Sequence, residues 1–184
     1  MNKIYKFSMP AVTLLSVGSL IAGASVANAV EGPSDAQIVG IVLAADTIDV
    51  NYGNIALKKS KNEAVREFAQ RMVTDHSAVQ QSVIGLATKL GVTAEDSPTS
   101  DGLKQGAVDI TAKLNSLRGK AFDSFYVDNE VSYHQSVTGA VDSVLIPSAR
   151  NAELKSALQG AQPLFLRHLE HAKMIQADRS AMAH

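Results

Sequence analysis

Four stretches of this chain place charged or imidazole side chains where apolar ones are expected. Ile38, Val42, Ala45, Asp49, Tyr52 and Ala56 fall on one face at helical spacing, so Asp49 stands in an apolar stripe. His76 interrupts a second stripe formed by Val65, Ala69, Met72, Val79, Val83, Leu86 and Leu90. Asp123, Glu130 and His134 stack along one helical face with Val127, Val137 and Val141. His168 falls between Phe165 and Ala172, with His171 one turn on. A core of Ala, Val, Leu and Ile tolerates charge only where something compensates it. Helix bundles build metal sites from inward-facing Glu, Asp and His, often with Glu and His one turn apart, as Glu130 and His134 are. The candidate ligands are therefore Asp49, His76, Glu130, His134 and His168, and the candidate ion is a divalent transition metal, Fe, Mn or Zn.

Heights along the helices allow these residues to meet. Asp49 lies about 12 residues before a turn near residue 60 and His76 about 15 after it, a difference of ~5 Å at a rise of 1.5 Å per residue. Glu130 and His168 stand in a similar relation across a turn at Pro147. Only Asp49, Glu130 and one of Asp123 or Asp75 can be placed inside, which suits a mononuclear centre better than a four-carboxylate dinuclear one. A second reading fits the same residues: buried His–Asp and His–Glu pairs that fix helix register and bind nothing, which would make the chain a non-catalytic structural or interaction module of the cell envelope. Asp75 points about 100° away from His76 and reads as a surface residue or an outer partner. Tyr126 and Tyr133 read as core or interface aromatics, Gly53, Gly85 and Gly139 as close helix approaches, and Lys58, Lys59 and Lys61 as an exposed helix end. No nucleophile elbow and no phosphate-binding loop accompanies the histidines, so no reaction is indicated.

The elements that must position these residues are helices. Ser34 and Gln37 form a capping-box pattern that opens a helix running to about Ser60, and Ser60 with Glu63 forms another that opens a second helix ending at Gly91. So tight a connection makes the two antiparallel. Residues 91–100 have loop composition, Leu103 to Leu117 suggests a shorter helix, and Gly119 marks a break. A longer helix spans about 120–146, Pro147 and Ser148 interrupt it, and a last helix follows that Pro163 should kink or divide. The expected fold is all-α: an up-and-down four-helix bundle with an additional short helix.

Residues 1–29 read as a cleaved secretory signal: Lys3 and Lys6, then an apolar run, then small residues at Ala27 and Ala29. The remainder, residues 30–184, is one domain's length. Cleavage takes two of the 17 basic residues and none of the 18 acids, leaving a net charge of −3, a mixed balance that gives no basis for a nucleic-acid partner. The chain has no cysteine, hence no disulfide and no lipid-modified Cys, and nothing after the signal approaches the ~20 apolar residues of a membrane span. The product is expected to be soluble in the periplasm.

Three motifs carry a resemblance: VREFAQRMVTDHSAVQQ over 65–81, FDSFYVDNEVSYHQ over 122–135 and PLFLRHLEHA over 163–172. The chain resembles a family of bacterial exported proteins of unknown function with a ferritin-like bundle fold, often labelled "predicted outer membrane protein". The resemblance covers residues 35–180 and implies a ferritin-like four-helix bundle in the periplasm, with His76, His134 and His168 matching the family's recurrent histidines. It implies no activity. Where that family usually has Glu followed two residues later by Glu, this chain has Asp49 and Asn51, which shortens one ligand and removes another. The family's outer-membrane label conflicts with a sequence that offers no barrel pattern, no span and no lipid Cys.

Overall fold

The computed structural model describes residues 32–181 and consists of helices joined by short connections, with no strand among the described residues. Helix α1 is Asp35–Lys59. Its capping box is the expected one: Ser34 Oγ accepts from the Gln37 amide at 3.2 Å, and Gln37 Oε1 accepts from the Ser34 amide at 3.0 Å. Helix α2 is Glu63–Leu90, and here the expected cap shifts by two residues. Asn62, not Ser60, is the cap, its Oδ1 accepting from the Val65 amide at 3.1 Å. Ser60 instead closes α1, its amide donating to Ala56 O, while its hydroxyl accepts from the Asn62 amide. Gly91 ends α2 with φ of 65°, the left-handed conformation that glycine adopts without a Cβ penalty.

Helix α3, Pro98–Ser116, starts five residues ahead of the apolar pattern because Ser97 and Ser100 cap it reciprocally and Pro98 occupies its first turn. Helix α4, Gly119–Ala140, continues into a π-type turn over Val141–Leu145 and a last turn over Ile146–Ser148. The Ile146 amide reaches back five residues to Val141 O. Pro147, which has no N–H to give, follows at once, so the expected interruption takes the form of a widened turn rather than a clean stop. Helix α5, Ala152–Ala181, is capped by Asn151 Oδ1 and passes through Pro163 undivided, contrary to one of the two outcomes expected of that proline. Leu158 and Phe165 on either side of it are buried, so packing holds the helix across the missing hydrogen bond.

The helices pair antiparallel. Across α1 and α2, Thr47 meets Gln80 while Gly53 lies against Val73. Across α4 and α5 and their extensions, Gln162 reaches Asp142 and Gln176 reaches Asp128, so a step of fourteen along one helix matches a step of fourteen back along the other. α1 also packs on α4, α2 on α5, and α3 lies mainly against α1. A Cβ on Gly53 would come within 2.8 Å of Val73 Cγ2 and 3.0 Å of Ala69 O, so α1 and α2 approach closely there. Gly85 and Gly139 have open space beside them and mark no close approach, a correction to the sequence reading.

The core divides into two apolar clusters. One holds Tyr52, Ala56, Phe68, Met72, Leu114, Phe122 and Tyr126, and the other Ile38, Val42, Val83, Leu145, Leu158 and Phe165. Burying each large side chain contributes about 1.5–3 kcal/mol, so both clusters hold the helices together independently. On α1, α2, α4 and α5 alike the switch from one cluster to the other falls at a buried polar position: Asp46 and Asp49, His76, Glu130 and His134, and His168. A polar layer thus crosses the middle of the protein. No described helix is long and apolar enough to cross a membrane.

Candidate metal centre

All five residues singled out from the sequence lie in that layer, and all are buried. Asp49 comes from α1, His76 from α2, Glu130 and His134 from α4, and His168 from α5. Ring centroids of His76, His134 and His168 are 5.2–5.5 Å apart. One ligand atom from each of the three lies within 4.8 Å of the others, and Asp49, Glu130 and His134 form a second such group.

Each histidine is held by one ring nitrogen. His76 Nδ1 is 2.8 Å from Asp46 Oδ1. His134 Nδ1 is 3.1 Å from the Glu130 carbonyl oxygen, and His168 Nε2 is 2.8 Å from Asp75 Oδ2. A carbonyl or carboxylate oxygen accepts, so the proton sits on the nitrogen facing it. The other nitrogens, His76 Nε2, His134 Nε2 and His168 Nδ1, are buried and make no hydrogen bond among the described residues. Both oxygens of Asp49 and both of Glu130 are in the same condition. Asp49 Oδ2 lies 2.9 Å from His76 Nε2 and 3.4 Å from His134 Nε2, close enough for charge attraction but not aligned as hydrogen bonds. Metal-binding histidines are oriented in this way, with the outer N–H donated to a carboxylate or carbonyl and the inner nitrogen free.

Local sequence explains the aim of each side chain. Asp46 and Asp49 are one turn apart on α1 and clasp the His76 ring from either side. Glu130 and His134 are one turn apart on α4, and Thr138 one turn further donates its hydroxyl to His134 O at 2.7 Å. The His76 ring stacks on Phe165 with centroids 5.4 Å apart and planes 11° from parallel, which fixes its rotation.

The electrostatics are those of opposed charges out of water. Burial works against a charged His76, but Asp49 and Asp46 more than offset it and push its pKa up to about 10. Burial alone would raise Asp49; the imidazolium of His76, with His134 and His168 beyond it, holds the carboxyl below its ordinary range. Glu130 is driven well above the usual carboxylate range by burial and by the charge of Asp49. Burial depresses His134, and it depresses His168 to about 4. Burial likewise raises Asp46, against its bond to His76. Nitrogen and carboxylate donors together, three imidazoles and two carboxylates, suit a divalent ion of intermediate hardness such as Zn, Fe or Mn.

Some residues fall elsewhere. Asp123 is half-buried and lines a surface hollow with Lys58, Lys59, Lys61 and Lys120, away from the cluster. His171 packs edge-on against Phe68 rather than joining the other histidines. Asp75 is the outer partner of His168. Tyr126 is fully buried, and Tyr133 is half-buried with its hydroxyl donating to Ala45 O at 2.8 Å. Lys59 is not simply exposed: its ammonium donates to Leu114 O at 2.8 Å and lies over the Phe122 ring. Asp46 is the site residue that the stripe analysis missed. Its spacing of four after Val42 and three before Asp49 carried the signal.

No curated protein and no solved structure matches this chain. One family model does, over residues 22–175, a range that takes in the four helices bearing the cluster up to the last turns of α5. The chain therefore belongs to the family described as a domain of unknown function, DUF4142.

Proposed function

We propose that this chain is an exported, periplasmic, ferritin-like four-helix bundle whose function is to bind a divalent transition metal, Fe, Mn or Zn, in the polar layer. His76 Nε2, His134 Nε2 and His168 Nδ1 are its nitrogen ligands, and Asp49 and Glu130 supply oxygen. The observation that carries this reading is the direction of the histidines: each gives one nitrogen to an outer partner and turns the other inward, that of His76 to Asp49 and those of His134 and His168 without a hydrogen bond, beside a Glu130 carboxyl that also has none. Two antiparallel helix pairs with short connections support the bundle assignment. The proposed signal, residues 1–29, lies outside the described residues and rests on the sequence pattern.

Elemental analysis of the purified protein after exposure to Fe, Mn and Zn tests the reading. Wild type retains about one equivalent of a single metal, the stoichiometry of one closed site. His134→Ala loses it, and His171→Ala, outside the cluster, keeps it. Wild type that retains none of the three overturns the metal reading and leaves buried ion pairs as the layer's whole role. Export is tested by N-terminal sequencing of the secreted product, expected to begin at Val30.

A further inference from the structure

A cavity of about 180 Å³ opens beside the polar layer. Ile41, Val42, Leu103, Val137, Val141 and Leu145 line it, and so do Asp46 and His76 of the polar layer and Phe165. Five elements meet here: α1, α2 through His76, α3, α4 with its π-type turn, and α5. The exposed wall is apolar almost throughout, because the Tyr133 and Ser136 hydroxyls are spent on backbone carbonyls and Asp46 turns one oxygen to His76. Water is poorly held in such a space, since a buried water needs two to four polar partners and Asp46 Oδ2 is the one lining oxygen here shown to be buried without one. Apolar cavities of about 150 Å³ stay dry and take up benzene or xenon. The space is thus large enough for one compact ring or a branched chain of a few carbons, and too apolar for a charged or strongly polar molecule.

We infer that this cavity is a binding site for one small, uncharged, apolar molecule of about benzene's size, seated against the ring of His76. The occupant meets aliphatic side chains together with Phe165 and His76, whose rings already stack on each other. That contact ties the cavity to the candidate metal centre. His76 is held between Asp46 and Asp49, so a molecule packed on its ring bears on a group whose Nε2 faces the cluster. The cavity itself does not depend on metal being bound. A second apolar cavity of about 280 Å³ shares Val42 and Phe165 with the first and is lined by Asp75, so Phe165 divides the two.

Benzene is the probe. Titrated into the purified metal-free protein, it is expected to shift the methyl resonances of Val137, Val141, Leu103 and Leu145 saturably and to raise the melting temperature. Val137→Phe and Ala45→Leu, which fill the cavity from different helices, are expected to weaken binding about tenfold or more; circular dichroism confirms that each is folded, and having two guards against one failing. Absence of a saturable methyl response in wild type, or full affinity in both folded variants, overturns the inference. Cobalt(II)-loaded protein gives the second readout. Benzene is expected to alter its visible spectrum, and an unchanged spectrum at saturation would overturn the contact with His76. Protein that takes up benzene but none of Fe, Mn, Zn or cobalt refutes the metal reading alone; protein that takes up cobalt but no benzene refutes the cavity alone.

Discussion

Replacing Asp49 with Asn keeps the side chain's shape and deletes the charge at the centre of the layer. Asp49 is fully buried, 2.9 Å from His76 Nε2 and 3.4 Å from His134 Nε2. Removing one partner of a buried pair costs about 3–5 kcal/mol. Asp46 still holds the far side of His76, which puts the expected loss for the metal-free protein near the lower end, about 3 kcal/mol. With a urea dependence of roughly 2 kcal/mol per molar, the unfolding midpoint should fall by about 1.5 M.

The pH profile of that difference separates charge from packing. The pKa of His76 is raised from 6.5 to about 10 in the folded protein, so its contribution is fully present below 6.5 and is lost as the pH rises through 10. The gap between wild type and Asp49→Asn should therefore be widest near pH 6 and narrow toward pH 10. The assay is urea unfolding followed by far-ultraviolet circular dichroism, with chelator, at pH 6, 8 and 10. Asp75→Asn is the control, because Asp75 is partly exposed and an amide oxygen still accepts from His168; about 1 kcal/mol is expected. A midpoint shift under about 0.5 M for Asp49→Asn at pH 6, or a gap that holds constant to pH 10, refutes the charge argument.

Acid should weaken the metal-free protein between pH 6.5 and 4. Burial holds His168 near pKa 4, so in that window the unfolded chain takes up a proton that the folded one does not; His168→Gln should flatten this part of a melting-temperature profile. Gly53→Ala should destabilise by about 1–3 kcal/mol because its Cβ would press on Val73 and the Ala69 carbonyl. Gly85→Ala, with open space and a helix-interior position, should stabilise by about 0.5–1 kcal/mol, and denaturant curves of the two variants should move in opposite directions. Metal at about 1,000 times its dissociation constant should stabilise the fold by about 4 kcal/mol, seen as a melting temperature that drops when chelator is added.

Much of the helix plan was legible because its signals are local. The Ser34–Gln37 cap and the Gly91 stop act within one turn, and the structure places both where the residues imply. The start of α2 was misread by two residues because Ser60 and Asn62 are both capping types, and only the geometry of the connection assigns Ser60 to the end of α1. Of the kink or division expected at Pro163 only the division is ruled out, because sequence reports the lost hydrogen bond and not the buried neighbours that hold the helix across it. Gly85 and Gly139 were misread for the same reason: a small residue permits close approach, but only a facing helix makes use of it. Within the candidate site the stripe interruptions identified every residue that faces inward and the 100° offset marked Asp75 as a surface residue or outer partner, whereas Asp46 is defined by the His76 it touches on another helix.

The outer partners also weigh metal binding against simple ion pairing. A layer that served only to fix helix register would be expected to use up its donors and acceptors on itself, since each unsatisfied buried polar atom costs about 1–3 kcal/mol. His76 comes near to that, with a carboxylate on each ring nitrogen. His134 and His168 do not: each has one nitrogen satisfied and one without a hydrogen bond, and Glu130, kept neutral by burial and by the charge of Asp49, lies beside them. Pairing would have cost little, because His134 Nδ1 already lies 3.5 Å from Glu130 Oε2 yet is held by the backbone carbonyl instead. The two apolar clusters keep the helices together on either side, which allows the layer between them to hold lone pairs that the fold itself does not satisfy. The inward nitrogens of His134 and His168, on two helices and each fixed by a partner behind it, are what the proposed cation would satisfy and the His76–Asp49 pair does not.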